Sequence, residues 1–272
     1  MSRYEGVLAR TLQNILVVTD GFLSEHAPDG TLIKRIEIPV IGPDPYRSRA
    51  RDLVVGPEGR VYVVNGPENL LLSEYFNGTW QHHRVEGWTI VNHPSHGCIT
   101  RFKDSLFMVG SQTSARATNG SKDELLRFDT RRRAEPWQRW PRKFHTVTVG
   151  LDGLLYAMHQ STVQVFDPET MALLRSFRLP FNSGGIAVNA RGEVFSIHGD
   201  GYIRHVNSEG GLLDQLQVGG QPKDIDISPS GQIVVGTWAG QVFVTDESLQ
   251  GATSFARGVQ PNWVAFGSLP AE

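Results

Sequence analysis

An all-β ring of six four-stranded blades, a β-propeller, is the fold class this sequence predicts, and three observations predict it. One short pattern recurs along the 272 residues. It reads Arg51-Asp-Leu-Val-Val-Gly-Pro-Glu-Gly59, His145-Thr-Val-Thr-Val-Gly-Leu-Asp-Gly153, Gly184-Gly-Ile-Ala-Val-Asn-Ala-Arg-Gly192 and Lys223-Asp-Ile-Asp-Ile-Ser-Pro-Ser-Gly231, with weaker copies at His96–Asp104 and Asn262–Pro270. The copies begin 45, 49, 39, 39 and 39 residues apart. A period near forty, built from short strands and glycine turns, marks a propeller array. Further apolar strands follow each copy except the last. The two ends of the chain are out of phase in a complementary way.

The elements follow in order. Residues 14–38 supply strands two to four of a blade (Ile15-Leu-Val-Val, Leu23-Ser-Glu-His and Leu32-Ile-Lys-Arg-Ile) without a first strand. Segment 262–270 is a first strand with nothing after it. Pairing it into the N-terminal blade would close the ring and leave no open seam. Second strands are Val61-Tyr-Val-Val, Leu106-Phe-Met-Val, Leu155-Tyr-Ala-Met, Val194-Phe-Ser-Ile and Ile233-Val-Val-Gly. Third strands end in Asp or Asn before a turn, at Asp129, Asp167, Asn207 and Asp246. Fourth strands alternate more weakly, as in 173–179 and 212–218. Alternation over four to eight residues between Gly, Pro, Asn and Asp reads as antiparallel strands.

Composition bounds the rest. Six units of about forty to fifty residues fill residues 1–272 as a single domain. A net charge of −2 argues against nucleic-acid binding through bulk electrostatics. The single cysteine, Cys98, allows no intrachain disulfide and falls in a first-strand core pattern, where it should be buried. No apolar run approaches the ~20 residues of a membrane span, and the polar start has no secretory core, so a soluble cytoplasmic protein with no membrane partner is expected. The oligomeric state is not set by the sequence.

In such a blade the start of strand one and the end of strand two meet at one face, the top. The long connections, 39–50, 86–95, 110–123 and part of 134–144, all belong there and suggest a wall around a pocket. First positions of strand one are Arg51, His96, His145, Gly184, Lys223 and Asn262; the next positions are Asp52, Gly97, Thr146, Gly185, Asp224 and Trp263. Strand two ends at Thr19, Asn65, Gly110, His159, His198 and Thr237. Three imidazoles plus a water suit Zn²⁺, so His145, His159 and His198 are candidate ligands for a divalent metal (Zn, Mn or Mg). His96 would move a proton, and Arg51 or Lys223 would bind a carboxylate or oxyanion. Asp52, Asn65, Asp224, Trp263 and Tyr46 are candidate substrate contacts. A polar channel ring can equally serve backbone groups and waters alone.

Other features carry less. The basic run Arg131–Lys143, with Trp137 and Trp140, reads as an outer strand whose arginines stack over the tryptophans, or else as a site for an acidic partner or single-stranded nucleic acid. His82 and His83 point to opposite faces of one strand. No Gly-x-Ser-x-Gly elbow, P-loop or dinucleotide fingerprint occurs, so no organic cofactor is indicated.

The first-strand pattern with its Asp-Gly or Pro-x-Gly turn resembles the NHL and SMP-30-like six-bladed propellers, a group that includes virginiamycin B lyase. No Trp-Asp dipeptide ends a third strand, unlike WD40 repeats. The resemblance implies lactone hydrolases, metal-dependent or peptide-amidating lyases, or plain scaffolds, and favours a central metal site. The gluconolactonase-like branch binds its cation largely through acidic and amide groups, whereas this rim is rich in histidine. The amidating and virginiamycin B lyases use channel histidines with a divalent metal, which is closer in kind. The expectation is a small-molecule enzyme at the top of the channel, a metal-assisted lyase or hydrolase. The alternative is a non-catalytic scaffold that binds a protein or peptide through its top loops. A lectin-like reading fails, because the six tryptophans do not recur at one blade position.

Overall fold

A computed structural model of the chain describes residues 13–19, 21–39, 49–66, 71–84, 98–112, 122–132, 137–141, 143–256 and 263–270. The described residues form six four-stranded antiparallel sheets, with a single 3-10 turn at Pro57–Gly59. Blade one contains β1 (Ile15–Thr19), β2 (Phe22–His26) and β3 (Leu32–Glu37). Blade two is β4 (Arg49–Val55), β5 (Val61–Gly66), β6 (Leu71–Phe76) and β7 (Thr79–Arg84). Blade three is β8 (Ile99–Phe102), β9 (Ser105–Gln112), β10 (Lys122–Asp129) and β11 (Gln138–Trp140). Blade four is β12 (Thr146–Val149), β13 (Leu155–His159), β14 (Thr162–Phe166) and β15 (Leu173–Arg178). Blade five is β16 (Gly185–Val188), β17 (Val194–Ile197), β18 (Tyr202–Val206) and β19 (Leu212–Gln217). Blade six is β20 (Pro222–Ile227), β21 (Gln232–Thr237), β22 (Gln241–Asp246) and β23 (Thr253–Ala256). The last strand, β24 (Trp263–Phe266), pairs with β1 and supplies the inner strand of blade one, closing the ring as its phase predicted.

The turns explain why these residues fold this way. At the foot of the inner hairpin a glycine closes a tight turn onto the residue three before it, as Gly153 does to Gly150 and Gly231 to Ser228. Gly153 and Gly231 hold φ of 81° and 82°, a region that L side chains enter only with strain. At the end of the third strand the Asp or Asn carboxyl or amide oxygen accepts backbone N–H groups two to four residues on. Asp167 takes those of Glu169 and Thr170, Asn207 those of Glu209 and Gly211, and Asp246 that of Ser248. The sequence pattern of strands ending in Asp or Asn is therefore an array of side-chain-closed turns.

The core is a chain of seams between blades. Apolar clusters lie between blades one and two, across two to four, between four and five, five and six, and six and one. The inner strands touch in ring order, so each blade buries both faces. On the outer strand of blade three, Trp137 stacks on Phe128 with centroids 4.6 Å apart, and Arg131 pairs with Asp104 at 2.8 Å. Arg133 and Arg142 of this basic run lie outside the described residues. Among the described residues, no helix is long and apolar enough to cross a membrane.

The register corrects one alignment. Asp52 lies opposite Val64, Thr146 opposite Met158, Asp224 opposite Gly236 and Trp263 opposite Val18. In blade three the residue at that level is Cys98, whose carbonyl accepts the N–H of Val109, with Ile99 opposite Met108. The weak copy in blade three was thus one residue out of phase, and Cys98 stands where Gly97 was expected. Arg51 and Lys223 both sit at register shifts, between Ala50 and Asp52 and between Pro222 and Asp224. Each is the extra residue of a bulge.

Candidate functional site

An innermost strand is an edge strand, and its free N–H groups need partners. This chain caps several of them with side chains of the preceding blade. Asp52 accepts the N–H of Ile99 at 2.9 Å through Oδ2 and that of Leu53 at 2.7 Å through Oδ1. Asp224 accepts the N–H of Val264 at 2.9 Å, and Asp226 those of Phe266 and Ile227 at 2.8 Å each. Thr100 Oγ1 accepts the N–H of Val149 at 2.8 Å. In each case the acceptor serves the next blade, so these groups staple blade to blade.

This changes the reading of two candidates. Asp52 and Asp224 are buried and already occupied by backbone donors, so they hold the ring together rather than face a substrate. Burial pushes the Asp52 carboxyl up to about 7 despite the backbone N–H groups that favour its charge. Burial and the neighbouring Asp52 raise Asp224 well above the usual carboxylate range, and burial raises Asp226 to about 6. Cys98 is buried as expected, and burial followed by the Asp52 charge pushes its thiol up. Lys223 is buried too, its Nζ 4.7 Å from the Trp238 ring centroid and 5.6 Å from that of Trp263. It is held between these two indoles. Trp263 itself is 1% exposed and belongs to the core between blades one and two.

The histidines divide differently. His145 and His159 meet edge to face, with ring centroids 5.5 Å apart. The backbone N–H of Gln160 donates to His145 Nε2 at 3.1 Å, which occupies the lone pair a metal would need. His198 is exposed just after β17 of blade five. Among the described residues, no group of three or more His, Cys, Asp and Glu side chains is gathered to hold a metal ion. The proposed trio of His145, His159 and His198 therefore does not fit a metal, because only two of its members meet and one of those is already engaged. His96 and Tyr46 lie outside the described residues, as does the side chain of Arg51.

Two repeat-equivalent residues at the end of the second strand stand out. Asn65 is buried, donates through Nδ2 to Ser73 Oγ at 2.5 Å, and leaves Oδ1 without a hydrogen-bond partner. Ser73 Oγ in turn lies 3.0 Å from His82 Nδ1. Burial and the adjacent His83 hold His82 below the usual imidazole range. His83 instead meets Glu74 at 3.1 Å, so the two histidines do point apart. His159 also keeps a buried ring nitrogen, Nδ1, without a partner. It lines a cavity of about 460 Å³ together with Lys143, Phe144, Thr162 and Gln164. That volume lies within the usual range for small-molecule sites, roughly 300–1,000 Å³. Sequence reasoning found His159 but missed its companions. Thr162 and Gln164 alternate on one face of β14, a signal legible once the strand's register is known.

No known sequence family matches the chain, and no curated protein matches it. Solved structures with the same fold include a chain in a nidogen/laminin complex, at 12% identity and TM-score 0.67, covering 93% of this chain and 98% of that one. A gluconolactonase from Xanthomonas campestris matches at 14% identity and TM-score 0.57, covering 80% and 76%. Apo AztD from Citrobacter koseri matches at 11% identity and TM-score 0.54, covering 94% and 99%. At these identities the likeness shows a β-propeller fold.

Proposed function

We propose that this propeller is a small-molecule hydrolase or lyase whose reaction centre is the cavity at the top of blade four, with His159 as its acid–base group. The observation that carries this is the placement of His159 on the wall of a 460 Å³ cavity while its neighbour His145 is fixed by a backbone N–H. Ester or lactone hydrolysis is the reaction the arrangement fits most simply. Water attacks the carbonyl carbon as His159 takes its proton; the carbon–oxygen bond breaks, and the proton passes to the leaving alkoxide. His145, held through Nε2, braces the His159 ring edge-on and orients it.

We infer an SMP-30-like lineage as well, in keeping with a gluconolactonase among the structures that share the fold. The test is a panel of small esters and lactones assayed with the wild type, His159→Ala and His145→Ala. General acid–base catalysis contributes about 10²–10⁴-fold, so His159→Ala should cost at least about a hundredfold in kcat/KM. His145→Ala, which loosens rather than removes the group, should cost less. Turnover of no panel member, or a His159→Ala variant within tenfold of wild type, would defeat this reading.

A further inference from the structure

We propose that the blade-four cavity selects a small organic anion, a carboxylate attached to an apolar body. The inference rests on reading that cavity as the substrate site and adds the class of ligand. The charge of the lining supports it. Among the described lining residues Lys143 is the one lysine or arginine, and none of them carries a carboxylate. Lys143 is exposed and makes no ion pair among the described residues. The acidic residues of blade four, Asp152, Asp167 and Glu169, lie in the turns at the opposite ends of its strands. Near the top, Arg178 donates to Ser161 Oγ at 3.4 Å, one residue before Thr162, so a second cation flanks the mouth.

The remaining lining residues define the rest of the ligand. Phe144 is 5% exposed and packs edge-on against Phe166 at 6.0 Å, a fixed apolar wall suited to a hydrocarbon or ring. Thr162 and Gln164, two apart on β14, offer neutral hydrogen-bonding groups side by side. A carboxylate on Lys143 would place the ligand's body along Phe144 and bring its polar substituents to Gln164 and His159. Lysine acts here as a point charge, which favours an anion without requiring one fixed geometry.

Phenylacetate and its neutral counterpart phenylacetamide separate charge from shape. Binding is read by the imidazole resonances of His159 in the full-length protein, with Lys143→Met and Lys143→Arg as variants. Unfolding curves confirm that each variant is folded. Phenylacetate should bind at least about tenfold more tightly than phenylacetamide, a preference that a charge-assisted contact supplies. Lys143→Met should erase the preference and Lys143→Arg should retain it. Equal binding of the two probes, or a preference that survives Lys143→Met, would overturn the anion assignment while leaving the cavity as a small-molecule site. If neither probe moves the His159 resonances, both this inference and the proposed reaction centre fall.

Discussion

Blade two and blade four place Asn65 and His159 at the same level of the same strand, and their surroundings diverge from there. In blade two Ser73 lies diagonally across the sheet from Asn65 and opposite His82, and a hydrogen-bond chain runs from Asn65 through Ser73 to His82. In blade four the corresponding positions are Gln164 and Ser176. There His159 and Gln164 line a cavity instead. The repeat thus determines where a side chain emerges, while its lateral neighbours decide whether it is bonded across the sheet or left facing a hollow. The same division separates Asp52 and Asp224, occupied by backbone donors, from His159 of blade four.

The strongest way to break this comparison is to titrate the bonded side. Asp226 has its folded carboxyl raised from the ordinary 3.8 to about 6, so folding favours its protonated form. That contribution is complete below about 3.8 and is lost as pH climbs to about 6. A displacement of about two pH units corresponds to at most ~3 kcal/mol, and less where water reaches this half-buried side chain. In urea unfolding at pH 4 and pH 7, the stability of the wild type relative to Asp226→Asn should fall by about 2 kcal/mol. A constant difference would show that Asp226 is not a desolvated staple.

Ser73→Ala comes next. It unpairs Asn65 Nδ2 and His82 together, and a buried polar group left unsatisfied costs about 1–3 kcal/mol, so the urea midpoint should drop accordingly. Thr100→Val sharpens the picture at the seam between blades three and four. It removes the acceptor for Val149 N–H while keeping the shape, and about 1 kcal/mol of destabilisation is expected by calorimetry. Smallest is His159→Ala, which should leave unfolding within about 0.5 kcal/mol while abolishing the proposed activity. A loss of 2 kcal/mol or more there would make His159 a structural residue like Asn65.

Much of this was legible beforehand. The echo at Arg51, His145, Gly184 and Lys223 located the inner strands, and the out-of-phase ends located the closure by β24. The copy beginning at His96 was misread by one residue, because its Phe102-Lys-Asp104 turn lacks the glycine that anchors the others. Rim positions such as Asp52, Asn65, Asp224 and His159 were found as positions, but their uses were not. Whether a carboxylate at that level meets a ligand or the N–H of a strand some forty residues on depends on the neighbouring blade.

The sequence by itself determined the number of blades, their strand order, the closing strand and the turns, since each follows from local alternation and from residues that permit tight turns. The tertiary structure alone decided that Asp52 and Asp224 are staples, that Lys223 lies between Trp238 and Trp263, and that His145 and His159 meet without His198. Those outcomes depend on which side chains face one another once strands and blades are packed, and no local pattern encodes such distances.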